Sequence, residues 1–525
     1  MQSSFKGRQL FLVLKAGIAL CLDSPRDFFS KVSQRMEEIG RPFLAGIAER
    51  MRNFSVQLSS PGTELLERGN LRAGITMMES EGKWWNFIGR LELAQAKRKL
   101  DFLRTPFTSK VPASLGTEPE LVSIVAIVSN SLPYTQSGYT LRSQATFQAL
   151  AARGWRINGF TRPGYPALIG RLAVSCFDEI DGVKYHRVIP TRWPSHESVR
   201  VSNAIEDITR SSRAYLPDLI FATTDFRNGQ IAAGIASKLG VPMIYEVRGE
   251  LENTWAAKQL DKGVADPYET DYYEYSRARE NDCLHLASAI VSLSEVSKNN
   301  LIDRGIDPDK IFVIPNAISS SQVGRKHGER NEIRTRLELP KGTLIGSISS
   351  LVSYEGFEVL IRAMKYLPDT HCVFVGDGED KARLEQLVES LGLQENVLFV
   401  GRIPHSQIEE WYEALDLFVL PRLDLEVSRN VTPIKPLLAM AKGVPVVASD
   451  LPAVREITGN LAQYVIPGDA VQLAKSIDFI CKVEPNRQAL IDWAKAHTWE
   501  RNAVKYENLV EWLRANAESD KPERQ

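Results

Sequence analysis

The feature that most restricts the fold is a rhythm of short apolar strands and amphipathic helices that begins near residue 121 and restarts near residue 344. The first series places strands at 122–128, 156–161, 219–222, 243–247, 289–293 and 311–314, with helices between them. The second places strands at 344–348, 372–375, 397–400, 417–420 and 444–448. Strands that read as unbroken apolar runs are buried on both faces, and strand–helix alternation covers those faces with helices. The pattern predicts two successive doubly wound α/β sheets. Ligands of such sheets bind outside the C-terminal strand ends, here where two lobes would face each other across a cleft.

Residues 1–117 have a different texture. Phe28, Val32, Met36 and Ile39 recur at helical spacing, and no strand-like run interrupts them. Residues 64–75 read as helix, glycine turn, helix, and 110–120 carry Pro112, Gly116 and Pro119 as a linker would. The division predicted is a helical extension over 1–117, a first Rossmann-like lobe over 118–320, a second over 321–490 and a closing stretch over 491–525. Val504, Tyr506, Leu509, Val510 and Leu513 give that last stretch an apolar helix face, expected to pack back across the lobes. The apolar run from Leu10 to Leu22, broken by Lys15, is too short to span a bilayer and is read as part of the mature chain.

Composition narrows the function. With 64 basic and 65 acidic residues the net charge is −1, which argues against a nucleic-acid binder. Cys21, Cys176, Cys283, Cys372 and Cys481 form no C-x-x-C pair, and the seven histidines show no H-x-x-x-H spacing. No disulfide framework or metal site is expected, and a reducing, cytoplasmic setting is.

The segment 417–442 carries the most chemistry. A strand runs into a loop with Arg422, Arg429 and Asn430, then Thr432, Pro433, Ile434 and Lys435. Thr432 is suited to cap a helix whose first position is Pro433, leaving the amides of Ile434 and Lys435 at a positive helix end that suits a phosphate. Lys435 adds a full charge, with Arg422 and Arg429 converging; a capped structural helix with a surface lysine is the plain alternative. Gly138-Tyr139 opens the first strand-to-helix turn, where glycine permits close backbone approach to a ligand. Glu246 and Arg248 alternate at a strand exit, as an internal salt bridge or with Glu246 orienting Arg248 toward phosphates. Gly376, Gly378 and the run Tyr354-Glu355-Gly356 form glycine turns able to admit a diphosphate or nucleoside, and Arg402-Ile403 could present backbone to a base.

In order, these pieces resemble the large retaining glycosyltransferase family four, of GT-B fold, also described as glycosyl transferases group 1. The likeness rests on Gly138, Tyr-Glu-Val-Arg-Gly at 245–249, Ile-Pro-Asn at 314–316, Tyr-Glu-Gly at 354–356 and Val-Gly-Asp-Gly at 375–378. Phe-Val-Gly at 399–401, Pro-Arg at 421–422, Val-Thr-Pro-Ile-Lys-Pro-Leu at 431–437 and Gly-Val-Pro-Val-Val at 443–447 extend it. It spans residues 120–515 and leaves out the helical extension. The resemblance implies transfer of a sugar from a nucleotide-diphosphate donor with retention, without metal or cofactor. Lys435, Arg422 and the amides after Thr432 would neutralise the departing diphosphate. Arg248 and Glu246 would assist, Gly138 and Tyr139 would approach donor or acceptor, and the backbone at Arg402-Ile403 would meet the base.

Many members of that family carry two glutamates eight residues apart, one on the sugar and one on the ribose. Asn430 and Leu438 stand there, and a leucine cannot hold a ribose. A catalytically impaired scaffold or binding protein of the same fold is therefore the alternative function. The expected acceptor is a sugar or a lipid- or protein-linked glycan in polysaccharide or glycoconjugate assembly. Trp84, Trp85, Lys97, Arg98, Lys99 and Arg104 suggest peripheral contact of residues 1–117 with the inner face of a membrane, or else an amphipathic helix packed on the catalytic lobes with its charged face in water.

Overall fold

A computed structural model describes residues 5–14, 46–47, 49–50, 60–81, 87–115 and 122–519. The chain divides into two compact units. The first comprises Met1–Val247, Leu251–Ile290 and Val510–Gln525; the second comprises Arg248–Glu250 and Val291–Leu509.

In the first unit β1 (Ser123–Val128) is buried at every position, as its uninterrupted apolar sequence requires. It pairs in parallel with β2 (Arg156–Thr161) on one side and β5 (Leu219–Thr223) on the other. β6 (Met243–Val247) continues the sheet beside β5. Beyond β2 lie β4 (Val183–His186) and β3 (Phe177–Ile180), an antiparallel pair that the sequence reading did not include. Its two-residue turn, Asp181-Gly182, has φ of 49° and 79°, the positive values that match strand twist in a tight hairpin. With β7 (Ala289–Ser292) and β8 (Ile311–Val313) the order is β3-β4-β2-β1-β5-β6-β7-β8, so the winding reverses between β1 and β5. The division between units falls within β7, at residues 290/291, some thirty residues earlier than the sequence boundary at 320. The helix after β7, Glu295–Asp303, belongs to the second unit: its Glu295 and Val296 amides donate to the Glu456 carboxylate at 2.7 and 3.2 Å.

The helical extension is built into the first unit. Helices Pro61–Glu67 and Leu71–Ser80 turn at Gly69, whose φ is 91°. They cross closely at Gly62 and Gly74, because a Cβ on either would press on the other's carbonyl. Asp271 receives the Arg72 backbone N–H at 2.7 Å and pairs with the Arg72 guanidinium. The Tyr272 amide donates to the Gly69 carbonyl at 3.0 Å. After the helix Phe87–Arg104 the chain does not behave as a loose linker. The Phe107 amide donates to Asp282, the Ser109 hydroxyl to the Ala233 carbonyl, and the Ser288 hydroxyl to the Pro112 carbonyl at 2.6 Å. The Leu115 amide donates to the Leu513 carbonyl at 3.0 Å.

The second unit holds β9 (Thr343–Ile348), β10 (Thr370–Val375), β11 (Val397–Gly401), β12 (Leu417–Leu420), β13 (Val446–Ser449) and β14 (Gln463–Val465), in the order β11-β10-β9-β12-β13-β14. Every pairing is parallel. Alternation sends Ile345, Phe374, Val419 and Val447 to one core and Leu344, Val373, Phe418 and Val446 to the other. The winding reverses between β9 and β12. The closing helix Trp499–Ser519 serves both units: through Leu509 it lies in the second, and from Val510 in the first.

Candidate functional site

Because order reverses between β9 and β12, the loops leaving those two strands diverge and open a crevice at their C-terminal ends. Three charged side chains of the second unit meet there. Glu355 comes from the short turn after β9, Arg422 from just beyond β12, and Lys435 from the first position of the helix Lys435–Ala441. The Glu355 carboxylate is 2% exposed and receives Arg422 Nη2 at 2.9 Å and Lys435 Nζ at 3.0 Å on the same oxygen. Lys435 Nζ also donates to Ser349 Oγ at 2.6 Å, and Arg422 Nη1 donates to the Val431 carbonyl at 2.8 Å. Burial alone would raise the Glu355 pKa; Arg422 and then Lys435 outweigh it and bring it down to about 2. Burial lowers that of Lys435, helped by Arg422 and opposed by Glu355. The cluster keeps one positive charge in excess, and Lys435 retains a quarter of its side-chain surface in contact with solvent.

Three glycines hold these loops, and they act on protein backbone. A Cβ on Gly376, at φ 143°, would overlap the Ser349 carbonyl oxygen; on Gly378 it would overlap that of Leu351. On Gly356, at φ 72°, it would strike the Pro421 carbonyl. These contacts fix the β9 loop in place together with Ser349 and Glu355. Tyr354 is half-buried, with its phenol pKa raised by burial and then by Glu355, and its carbonyl accepts from the Leu423 amide. Arg402 is exposed and Ile403 half-buried in the loop after β11, where Ile403 packs on the core.

The helix expected to start at Pro433 starts two residues later. Ile434 is the capping position, with helical φ/ψ and no side-chain cap, and Pro436 falls in the first turn. Thr432 is therefore not the cap. Its carbonyl accepts from Asn316 Nδ2 at 2.9 Å, and its hydroxyl, in a residue 6% exposed, has no hydrogen-bond partner. Arg429 does not converge on Lys435: it is half-exposed and pairs with Asp424. Asn430 donates to Glu250 at 3.2 Å and Glu426 at 3.4 Å, so two carboxylates surround a position where the sequence reading had only an amide. Leu438 is 8% exposed and packs in the core with Leu437 and Met440.

Gly138 in the first unit is the first residue of the helix Gly138–Ala151, whose Ser137 and Thr140 form a reciprocal capping box. An added Cβ there would meet nothing within 4 Å, so packing does not demand this glycine. Tyr139 beside it is 43% exposed. Glu246, wholly buried on β6, accepts from Arg142 Nη2 at 2.7 Å and Nε at 3.1 Å, a partner on that helix that the sequence reading missed. Arg248, just past β6, is also buried. Among the described residues one cluster has metal-ligating side chains, His327, Glu409 and Glu413. The Lys442 ammonium lies 2.6 and 3.1 Å from its two carboxylates.

The two sheets correspond to two known domain families. Glycosyl transferases group 1 matches residues 329–497, and the glycosyl transferase 4-like domain matches 137–317. The putative teichuronic acid biosynthesis glycosyltransferase TuaC of Bacillus subtilis is 26% identical over 298 residues, 56% of this chain and 69% of that one. Sucrose-phosphate synthase of Thermosynechococcus elongatus shares the fold with TM-score 0.61 at 20% identity, over 74% of this chain and 99% of that one. HepE of Anabaena, solved with UDP and glucose, does so with TM-score 0.52 at 17% identity, over 76% and 99%. With both sheets matched, the chain belongs to the group 1, 4-like glycosyltransferases of GT-B fold, and it is a glycosyltransferase.

Proposed function

We propose that this glycosyltransferase moves a sugar from a nucleotide-diphosphate donor to a glycan or lipid-linked acceptor, with retention and without metal or cofactor. The observation that carries the reading is the pair of cations, Arg422 and Lys435, bridged by Glu355 where the second sheet reverses its order. When the sugar–phosphate bond breaks, negative charge grows on the departing diphosphate. Preorganised cations aimed at that charge stabilise the transition state more than the ground state. Glu355 holds both at fixed distance, so little reorganisation accompanies bond cleavage. Thr432 supplies a hydroxyl that the protein itself leaves unused. Gly138 leaves open room at a capped helix start. UDP in the Anabaena neighbour supports a nucleoside-diphosphate donor, and the name of the Bacillus relative supports glycan assembly. A peripheral place at a membrane would suit a lipid-linked acceptor.

The test is donor hydrolysis by the purified chain across a panel of nucleotide-sugars, with and without EDTA, beside Lys435→Ala. Release of nucleoside diphosphate from one donor, indifferent to EDTA and lost in the variant, is expected. Dependence on added metal would sink the metal-free mechanism. An inverted anomeric configuration in the product, read by proton NMR, would sink retention.

A further inference from the structure

The N-terminal helix, residues 5–14, is apolar on two faces. Phe5, Gln9 and Leu12 point inward and are 6%, 0% and 2% exposed. Gln9 fixes the docking with both ends of its amide: Nε2 donates to the Ala173 carbonyl at 2.9 Å and Oε1 accepts from the Ala173 amide at 2.8 Å. Leu12 approaches Gly164. The opposite stripe, spaced i, i+1, i+4, is Leu10, Phe11 and Leu14, which are 57%, 50% and 64% exposed. The loop that holds Gln9 extends the apolar surface, because Leu172 and Val174 flank Ala173 and are themselves exposed, as are Leu168 and Phe177. Single exposed apolar residues need no explanation, whereas a run of them on one pinned helix and its supporting loop does.

Charge indicates the occupant. Residues 5–14 and 162–177 contain Lys6, Arg8, Arg162 and Arg171 and no aspartate or glutamate, in a chain whose acids and bases otherwise balance. Lys6, Arg8 and Arg171 are exposed. The carboxylates that follow are engaged: Asp178 pairs with Arg187 at 2.6 Å, and Glu179 lies 4.0 Å from Lys184. Apolar side chains at the level of a basic rim match an interfacial helix on a bilayer with anionic headgroups. Of the side chains first considered above for such contact, Trp84 and Trp85 lie outside the described residues; Lys97 pairs with Glu79, and Lys99 sits 4.3 Å from the Tyr272 ring centroid.

We infer that the exposed face of residues 5–14, with Leu168, Leu172, Val174 and Phe177, docks this protein on an anionic lipid bilayer. The inference reaches beyond the transferase reading and is read out without catalysis. The helix lies flat, its apolar stripe in the headgroup boundary and its cations at phosphate level. No helix among the described residues is long and apolar enough to cross the membrane. Attachment through this face weakens with salt.

The experiment is co-sedimentation of the full chain with vesicles of phosphatidylcholine alone or with about 30% phosphatidylglycerol, the anionic fraction supplying the surface potential. Three variants accompany it: Leu10→Ser/Phe11→Ser/Leu14→Ser, Lys6→Glu/Arg8→Glu/Arg171→Glu, and Phe479→Ser, a 58% exposed aromatic elsewhere, as control. The wild type and the control should bind anionic vesicles at least about tenfold more than neutral ones. The apolar triple should lose that binding, and the charge-reversed triple should lose the preference for anionic lipid. Because the charge variant touches no buried residue, it keeps the test decisive if the serine variant misfolds. Wild type that ignores anionic vesicles, or triples that bind as wild type does, would overturn the inference. So would a dimer in lipid-free buffer that the apolar triple converts to monomer without any vesicle binding, since a second copy would then cover the face. Donor hydrolysis should be equal in all variants; its absence alongside intact vesicle binding would count against the transferase reading alone.

Discussion

Glu355 and Lys435 meet as carboxylate and ammonium 3.0 Å apart, and the oxygen they share also receives Arg422 at 2.9 Å. Two cations that would repel each other are thereby held side by side, where the proposed function has them meet a departing diphosphate. The carboxylate is structural and electrostatic at once, and its titration should show both roles.

The first prediction concerns acid. The Glu355 pKa is about 2 in the folded chain against an ordinary 4.5. A depressed carboxylate contributes stability that is complete above about pH 4.5 and is lost as pH falls toward 2. The shift corresponds to about 3 kcal/mol. Denaturant titrations at pH 7 and pH 3 should show Glu355→Gln less stable at neutral pH by about 3–5 kcal/mol, the cost of leaving buried cations unpaired. The variant's loss of stability on acidification should be shallower than the wild type's.

Lys435 should set an alkaline limb. Its pKa lies below the ordinary 10.5 because of burial and Arg422. The ammonium is present below that pKa and lost as pH rises through it, so kcat/KM should fall at a lower pH than an unperturbed lysine would give. Lys435→Ala should lower kcat by about 10²–10³, the range for removing one donor to developing charge. The pH–rate profile of the variant should lack the limb; a limb that survives would assign it to another group.

Glycine substitutions should separate packing from approach. Gly376→Ala and Gly378→Ala force a Cβ into the Ser349 and Leu351 carbonyls, and stability should fall by about 2–4 kcal/mol. Gly138→Ala meets open space and should leave stability within about 0.5 kcal/mol. If substrate comes to that helix start, Gly138→Ala should still lose kcat/KM, which initial rates and a melting curve decide together.

The buried pair Arg142–Glu246 should behave as a unit. Each side chain is at most 3% exposed, so Glu246→Gln alone should cost about 3–5 kcal/mol. Arg142→Met/Glu246→Leu should recover much of that loss, because replacing both charges by apolar groups leaves none unpaired. A double-mutant cycle by urea unfolding measures the coupling.

Most strands of both sheets were legible in the sequence because they are apolar on two faces and their helices amphipathic; β14 was not, since Gln463 and Tyr464 are only half-buried. The hairpin β3–β4 was not, since Phe177 and Glu179 face solvent and leave no apolar run. Arg422 and Lys435 could be singled out from the loop after β12, but their meeting on Glu355 could not. That contact joins residues 80 and 67 positions apart through a turn whose shape depends on the Gly356–Pro421 contact. Arg142 was missed for the same reason, being 104 residues from Glu246. The helix start was misplaced because Thr432-Pro433 satisfies the local rule, while Asn316, over a hundred residues away, claims the Thr432 carbonyl.

The contacts of Gly356, Gly376 and Gly378 are made to carbonyl groups, which every residue type possesses. At these three positions the crevice loops are spaced by main chain against main chain, so the spacing there does not depend on which side chains positions 349 and 351 carry. If Asn430 and Arg402 meet the donor, substitution at either should change what the crevice accepts without disturbing these glycine contacts.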